Sequence, residues 1–177
     1  MWTLCSIGSN IEPINNTALA LTRMARLFGR VQLSPLVRTR AVAVTGQQDF
    51  LNAFIRFESE ASDFELKQQL NAIEIDLGRD RSHRDSKILP RPMDIDILDR
   101  QRLLERLKPN ENTPYINAVW QAEQSGQLDQ TWPVELAGVL LGQMPATIDF
   151  DHATGQVSVV TQQTDRVEHR SKASLAS

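Results

Sequence analysis

The fold is decided by the stretch Phe50-Leu51-Asn52-Ala53-Phe54-Ile55-Arg56-Phe57, along which two kinds of side chain alternate. In an extended chain, an apolar set points to one side and a mixed set to the other: Leu51, Ala53, Ile55 and Phe57 against Phe50, Asn52, Phe54 and Arg56. This period of two predicts a β-strand with one mixed face. The segments on either side of it determine the fold to which the strand belongs.

Upstream, the apolar run Trp2 to Ile7 ends at Gly8-Ser9-Asn10, which predicts a buried strand that leads into a turn. An amphipathic helix follows, with Gly29 as its cap and apolar residues at helical spacing: Ile14, Ala18, Leu21, Ala25 and Phe28. Residues 31–39 predict a second strand. Because Pro35 interrupts it, we expect an edge strand or a bulge there.

Downstream, Ser62-Asp63-Phe64-Glu65 forms a capping box before a helix that stops at Gly78. The apolar stripe of this helix is Leu66, Leu70, Ile73 and Leu77. A cationic loop covers residues 79–91, and residues 93–98 predict another strand. The order strand, helix, strand, strand, helix, strand predicts a ferredoxin-like α+β fold, in which helices cover one face of a mostly antiparallel sheet.

The remaining segments are interpreted from local signals. Thr113-Pro114 predicts a helix start, residues 133–141 a short helix, and residues 147–161 a hairpin. We expect one domain over residues 1–162 and a flexible tail over residues 163–177.

Composition narrows the classes of function. The net charge of −3 argues against a nucleic-acid partner, so any phosphate site must come from a local cluster of cations. No apolar run approaches the ~20 residues of a membrane span, and no leader pattern is visible at Met1, so we expect a cytoplasmic protein without a membrane partner. We also expect a monomer. The single cysteine, Cys5, lies in an apolar run and reads as a small core residue.

Asp94 and Asp96 stand two residues apart in the last predicted strand, which points both carboxylates to one side, about 7 Å apart along the backbone. Such a pair can hold Mg²⁺ together with waters and phosphates, although a solvated strand face has the same pattern. The preceding loop carries five cations against two carboxylates, a formal charge of +3 over residues 79–91. Arginines beside a metal-binding pair are suited to a polyphosphate.

Phe50 and Asn52 share one face of their strand. A flat heterocycle could stack on the phenylalanine and be recognised by the amide, which both donates and accepts hydrogen bonds. Taken alone, a phenylalanine such as Phe50 is more often a core residue.

Four segments in this order resemble the 6-hydroxymethyl-7,8-dihydropterin pyrophosphokinase family: residues 8–10, residues 48–52, residues 73–81 and residues 90–98. The resemblance covers roughly residues 1–99. It implies a three-layer fold, binding of ATP with two Mg²⁺ ions, and transfer of pyrophosphate to a reduced pterin in folate synthesis, with release of AMP.

The resemblance also implies residue roles. Asp94 and Asp96 would hold the metals, and Arg79, Arg81 and Arg91 would contact the polyphosphate as the catalytic cations. Glu74 would lie near the nucleotide. The pterin would be bound by four residues: Gly8, Thr39, Phe50 and Asn52.

The chain departs from the family pattern in two places. Leu89-Pro90-Arg91-Pro92 stands where the family usually has Gly-Pro-Arg-Thr, and no histidine occurs between His83 and His152, where a Pro-His pair is usual. These departures leave a second hypothesis open: a module that binds a nucleotide or a pterin without catalysis.

Overall fold

The computed structural model describes residues 1–41, 48–80, 90–126, 128 and 131–162. Its strands are β1 Trp2–Ser9, β2 Arg30–Leu33, β3 Val37–Thr39, β4 Phe50–Glu58, β5 Asp94–Gln101, β6 Val134–Leu136, β7 Val139–Leu141, β8 Ala146–Asp151 and β9 Gln156–Thr161. Its helices are α1 Pro13–Phe28, α2 Asp63–Asp76 and α3 Pro114–Ser125, with a short 3-10 helix at Leu104–Arg106.

The central sheet has seven strands in the order β5-β1-β4-β2-β8-β9, and β3 pairs with β4 beside β2. Each pairing is antiparallel. Apart from the short β3, the first elements follow one another along the chain as β1-α1-β2-β4-α2-β5, which is the order of a ferredoxin-like fold, so the predicted α+β class is confirmed.

Two hydrophobic clusters lie on opposite faces of this sheet. The larger one packs beneath α1 and α2 and takes the side chains of Ile7, Ile55 and Ile95 from the sheet. The smaller one packs beneath α3 and takes Leu4, Phe54 and Leu98. Strand alternation explains the division, since neighbouring residues of a strand point to opposite faces. The sheet is therefore the middle of three layers.

Local signals explain where α2 begins and where α1 ends. Ser62 Oγ accepts the Glu65 N–H while the Glu65 carboxylate accepts the Ser62 N–H, which completes the predicted capping box of α2. The Glu65 pKa is lowered, because the Ser62 hydroxyl and the Ser62 N–H both donate to the ionised carboxylate. Gly29 ends α1 at φ 78°, and its N–H donates to the Ala25 carbonyl.

The second predicted strand is interrupted at residues 34–36, which include Pro35, so it is divided into β2 and β3. The expectation of an edge strand is wrong for β2, which lies between β4 and β8. The Ser34 hydroxyl accepts the Phe54 N–H at 2.8 Å, so a side chain replaces a ladder bond where the backbone leaves the sheet.

The short helix predicted over residues 133–141 is wrong, because β6 and β7 form a two-stranded hairpin there. Its turn consists of Ala137 at φ 50° and Gly138 at φ 76°. Positive φ at both central residues is the geometry of a tight hairpin turn, and a helix cannot contain it. The start of α3 at Pro114 and the hairpin of β8 and β9 are confirmed.

An ion pair holds α3 to the sheet. The Arg56 guanidinium on β4 donates to both carboxylate oxygens of Glu123 at 2.6 Å, and each side chain is 15% exposed. We expect Arg56→Met to lower the free energy of unfolding by about 2–3 kcal/mol, because it leaves a partly buried carboxylate without its cation. Urea unfolding measures this change.

The matched control is Arg30→Met. Arg30 forms a comparable pair with Asp149 at 2.6 Å, but Arg30 is exposed, so this pair should contribute much less to the free energy of unfolding. Equal losses in the two variants would show that the Arg56 pair does not anchor α3.

Candidate active site

Four neighbouring strands, β5, β1, β4 and β3, carry the predicted metal and pterin residues. Gly8 on β1 stands in register with Asn52 on one side and with Asp94 on the other. Thr39 on β3 is in register with Phe50 on β4. The sheet topology thus places the predicted metal residues beside the predicted pterin residues.

The two carboxylates share one face of β5, where Asp94 and Asp96 are 24% and 46% exposed. Asp94 lies between two guanidinium groups. Its Oδ1 accepts from Arg79 Nη1, and its Oδ2 accepts from Arg91 Nη1 at 2.5 Å. The structure therefore joins the carboxylate to two of the three predicted catalytic arginines. Arg81, the third, lies outside the described residues.

Glu74 is fully buried at the end of α2. Its Oε1 accepts the N–H of Ile95 at 2.7 Å and lies 3.0 Å from Arg79 Nη1. This carboxylate holds the backbone between Asp94 and Asp96 and also holds the arginine that reaches Asp94. In this structure its role is to position those groups.

Burial alone would lower the pKa of the Arg79 guanidinium. The hydrogen bond and charge of Asp94, together with the charges of Glu74 and Asp96, outweigh burial and raise the pKa of Arg79 above its ordinary value. Arg79 therefore stays cationic throughout the pH range in which proteins are folded.

Sequence reasoning missed Lys67, which stands on α2 two helical turns before Glu74. Its ammonium donates to Asp96 Oδ1 at 3.1 Å and to the Ile95 carbonyl at 3.2 Å. Residues seven apart lie on the same face of a helix, so the spacing of Lys67 and Glu74 was the available signal. It identified a shared face but could not show that this face meets β5.

Asn10, which follows β1, was quoted in the sequence pattern without a role. Its Oδ1 accepts the Arg91 N–H at 2.7 Å, and its own N–H donates to the Arg91 carbonyl at 3.2 Å. These two bonds fix the backbone of Arg91. The Arg91 guanidinium lies 6.0 Å from the centre of the Phe50 ring, so this arginine borders both halves of the site.

The aromatic and amide half of the site is closely packed. Asn52 Nδ2 donates to Thr39 Oγ1 at 2.7 Å, which fixes the orientation of the amide. A Cβ atom added to Gly8 would lie 2.6 Å from Asn52 Oδ1 and 3.8 Å from Phe50 Cδ1. Glycine is required here because of this close approach.

Tyr115 in the first turn of α3 is a second residue that sequence reasoning missed. It packs against the smaller hydrophobic cluster, whose sheet residues include Leu98. Burial raises the pKa of its phenol, and the negative charges of Glu111, Asp96 and Asp94 raise it further. Tyr115 thus lies within the electrostatic field of both carboxylates.

Comparison with known proteins gives a match to the model of the 7,8-dihydro-6-hydroxymethylpterin-pyrophosphokinase family over residues 4–107. The matched region is more than half of the chain and contains every site residue predicted from the sequence. The chain belongs to this family.

Two relatives from Arabidopsis thaliana are similar to about half of the chain. One, named folate synthesis bifunctional protein, is 35% identical over 95 residues, which make up 52% of this chain and 19% of the relative. The other, named folate synthesis bifunctional protein, mitochondrial, is 40% identical over 97 residues, which make up 52% of this chain and 17% of the relative. The matched region therefore spans under a fifth of each relative.

In a member of the pyrophosphokinase family, the carboxylates on β5 are candidates for holding metal ions. They fit a metal site in donor type and exposure, since Mg²⁺ takes one or two carboxylates and completes its shell with waters and phosphates. No group of three or more potential metal-binding side chains occurs in the described part of the chain.

Two further observations limit other interpretations. Burial raises the pKa of the Cys5 thiol well above its ordinary value, so this cysteine is neither a nucleophile nor a metal ligand in the folded chain. No helix among the residues described is long and apolar enough to cross a membrane.

Proposed function

We propose that the chain transfers pyrophosphate from ATP to the hydroxymethyl group of 6-hydroxymethyl-7,8-dihydropterin, with release of AMP, as a step of folate biosynthesis. The observation that carries this proposal is the position of Asp94, between the guanidinium groups of Arg79 and Arg91 and in register with Gly8. Family membership and the folate-synthesis relatives support it.

Asp94 and Asp96 would hold two Mg²⁺ ions together with the oxygens of ATP. When bound, magnesium neutralises phosphate charge and aligns the phosphate chain. Arg79 and Arg91 already lie against Asp94, and we infer that their guanidinium groups turn toward phosphate oxygens as metal takes over that carboxylate. Arg81 is proposed as a third cation on the same chain of phosphates.

Transfer of this kind needs mainly positioning and charge neutralisation. Glu74 would serve the reaction by fixing Ile95 and Arg79, since its buried carboxylate already bonds both. It is a positioning residue near the nucleotide.

The acceptor would be bound by the four pterin residues predicted from the sequence. Phe50 offers a ring face, and Asn52 an amide whose orientation is fixed by Thr39. Gly8 leaves room for that amide at the strand next to Asp94. The acceptor hydroxymethyl group would then point toward the phosphates held at β5.

Gly8→Ala tests this arrangement. The added methyl group would displace the Asn52 amide from its bond to Thr39, so we expect pterin affinity to fall about tenfold, equal to about 1.4 kcal/mol. Calorimetric titration with the pterin measures this, and the affinity for Mg-ATP should stay within about twofold. Unchanged pterin affinity would remove Asn52 from the acceptor site.

The decisive assay for the activity is AMP release from Mg-ATP in the presence of 6-hydroxymethyl-7,8-dihydropterin. We expect AMP and the pterin diphosphate in equal amounts, and neither product when magnesium or the pterin is omitted. Absence of AMP across a full range of magnesium concentrations would reject the proposed reaction.

A second candidate, a non-catalytic module that binds a nucleotide or a pterin, is favoured by one observation. Both oxygens of Asp94 already accept from arginines, so magnesium has to displace existing partners. The absence of the usual Pro-His pair supports the same candidate. Calorimetry that shows tight ligand binding without AMP release would favour this module, and steady turnover would exclude it.

Monomeric state and cytoplasmic location stay predictions.

A further inference from the structure

The geometry points to Lys67 as a counter-ion of Asp96 that a divalent cation must displace, so that this lysine lowers the affinity of the site for free metal. This inference rests on the proposed function, because it takes Asp96 as a metal-binding carboxylate. It adds a residue that the family resemblance did not supply.

Lys67 forms an ion pair with Asp96. Its ammonium lies 3.1 Å from Asp96 Oδ1, and in the described residues it is the cation within ion-pair distance of that carboxylate. Asp94 differs, since it is held by Arg79 and Arg91. The two carboxylates therefore have separate counter-ions, and only one of these is a lysine from the helical layer.

Asp96 and Lys67 are more exposed than Asp94 and its two arginines. Asp96 is 46% exposed and Lys67 is 39% exposed, so a hydrated ion can approach this carboxylate from solvent while the ammonium gives up its bond to Asp96 Oδ1. Asp94 is only 24% exposed, and its two arginines are almost buried. We infer that an arriving ion meets Asp96 first.

A second acceptor keeps the lysine nearby after the exchange. The ammonium also bonds the Ile95 carbonyl at 3.2 Å, and β5 is an edge strand whose outer side is open to such a contact. If Asp96 turned to a metal, Lys67 would remain on that carbonyl, a few ångströms from the ion. Like charges at that distance repel, which weakens the binding of a metal that brings no anions of its own.

Phosphate changes this balance. A metal that arrives with a triphosphate carries excess negative charge, which offsets the ammonium. Lys67 would therefore favour metal bound to a nucleotide over free metal, and this preference follows from the position of one side chain.

The test uses Mn²⁺ alone as the probe, with free Mn²⁺ followed by electron paramagnetic resonance in the absence of nucleotide. We expect Lys67→Met to lower the dissociation constant for Mn²⁺ by about two- to fivefold, the range of an exposed ion pair. Lys67→Arg keeps the charge and should leave the dissociation constant at its native value. Thermal unfolding of each variant shows that the fold is retained.

Lys108→Met is the matched control, since Lys108 is exposed beyond β5 and its backbone N–H, which the substitution keeps, donates to Asp99 Oδ2. It measures the general effect of removing one positive charge and should change the constant by less than the Lys67 variant. Unchanged or weaker Mn²⁺ binding in Lys67→Met would overturn the inference. If Lys67→Met fails this test while the native chain releases AMP, only this inference is rejected. If the native chain releases no AMP, the proposed reaction is rejected, whatever the result with Mn²⁺.

Discussion

Asp96→Ala should reduce AMP release by about a thousandfold and abolish the magnesium-dependent rise in melting temperature caused by ATP. Removing a metal ligand withdraws several kcal/mol of charge stabilisation, and each 1.36 kcal/mol corresponds to a factor of ten in rate. The free energy of unfolding should change by no more than about 1 kcal/mol, because Asp96 is half-exposed and its pair with Lys67 is largely solvated.

Asp149→Ala is the control for that variant. Asp149 is also a strand carboxylate with a cationic partner, but it lies on β8, four positions from β5 in the sheet order. It should retain native turnover and the native response to Mg-ATP. An undiminished nucleotide-induced shift in Asp96→Ala would contradict the metal assignment.

Glu74→Ala should lower the free energy of unfolding by about 3–4 kcal/mol. The substitution removes the acceptor of the Ile95 N–H and one of the carboxylates that face the nearly buried Arg79. Removing one member of a buried ion pair leaves an uncompensated charge, and the loss is a large part of the 5–15 kcal/mol that holds a typical domain together. Urea unfolding monitored by circular dichroism gives the value.

Two companion variants interpret that result. Glu74→Gln keeps an oxygen for the Ile95 N–H but loses the charge, so its cost should be intermediate, and it provides the test if Glu74→Ala does not fold. Glu58→Ala removes an exposed glutamate at the end of β4 and should cost about 0.5 kcal/mol or less. If Glu74→Ala costs no more than Glu58→Ala, the buried carboxylate does not support β5.

The parts of the fold that were predicted correctly depend on local chemistry. The alternation of Phe50–Glu58, the capping box at Ser62 and the cap at Gly29 act within a few residues, so each can be recognised in the sequence alone. The hairpin at residues 134–141 was missed because its apolar residues suit either a helix or two short strands. Its decisive signal is Ala137-Gly138, which adopts positive φ at both positions.

The site was predicted in part for the same reason. Period-two alternation placed Asp94 and Asp96 on one face, and the family motifs indicated Gly8 and Asn52. Local sequence patterns could not predict the contact of Lys67 with Asp96 or that of Asn10 with Arg91, because each contact joins residues far apart in the chain. Glu74 was expected beside the nucleotide, but its burial beneath β5 depends on how α2 packs, which sequence spacing does not determine.

A crystal structure with Mg²⁺ and a non-hydrolysable ATP analogue tests the central claim most directly. We expect magnesium at about 2.0–2.1 Å from carboxylate oxygens of Asp94 and Asp96, with the triphosphate between these residues and the guanidinium groups of Arg79 and Arg91. An analogue bound away from β5, with Asp94 still paired to both arginines and Asp96 still paired to Lys67, would contradict the account.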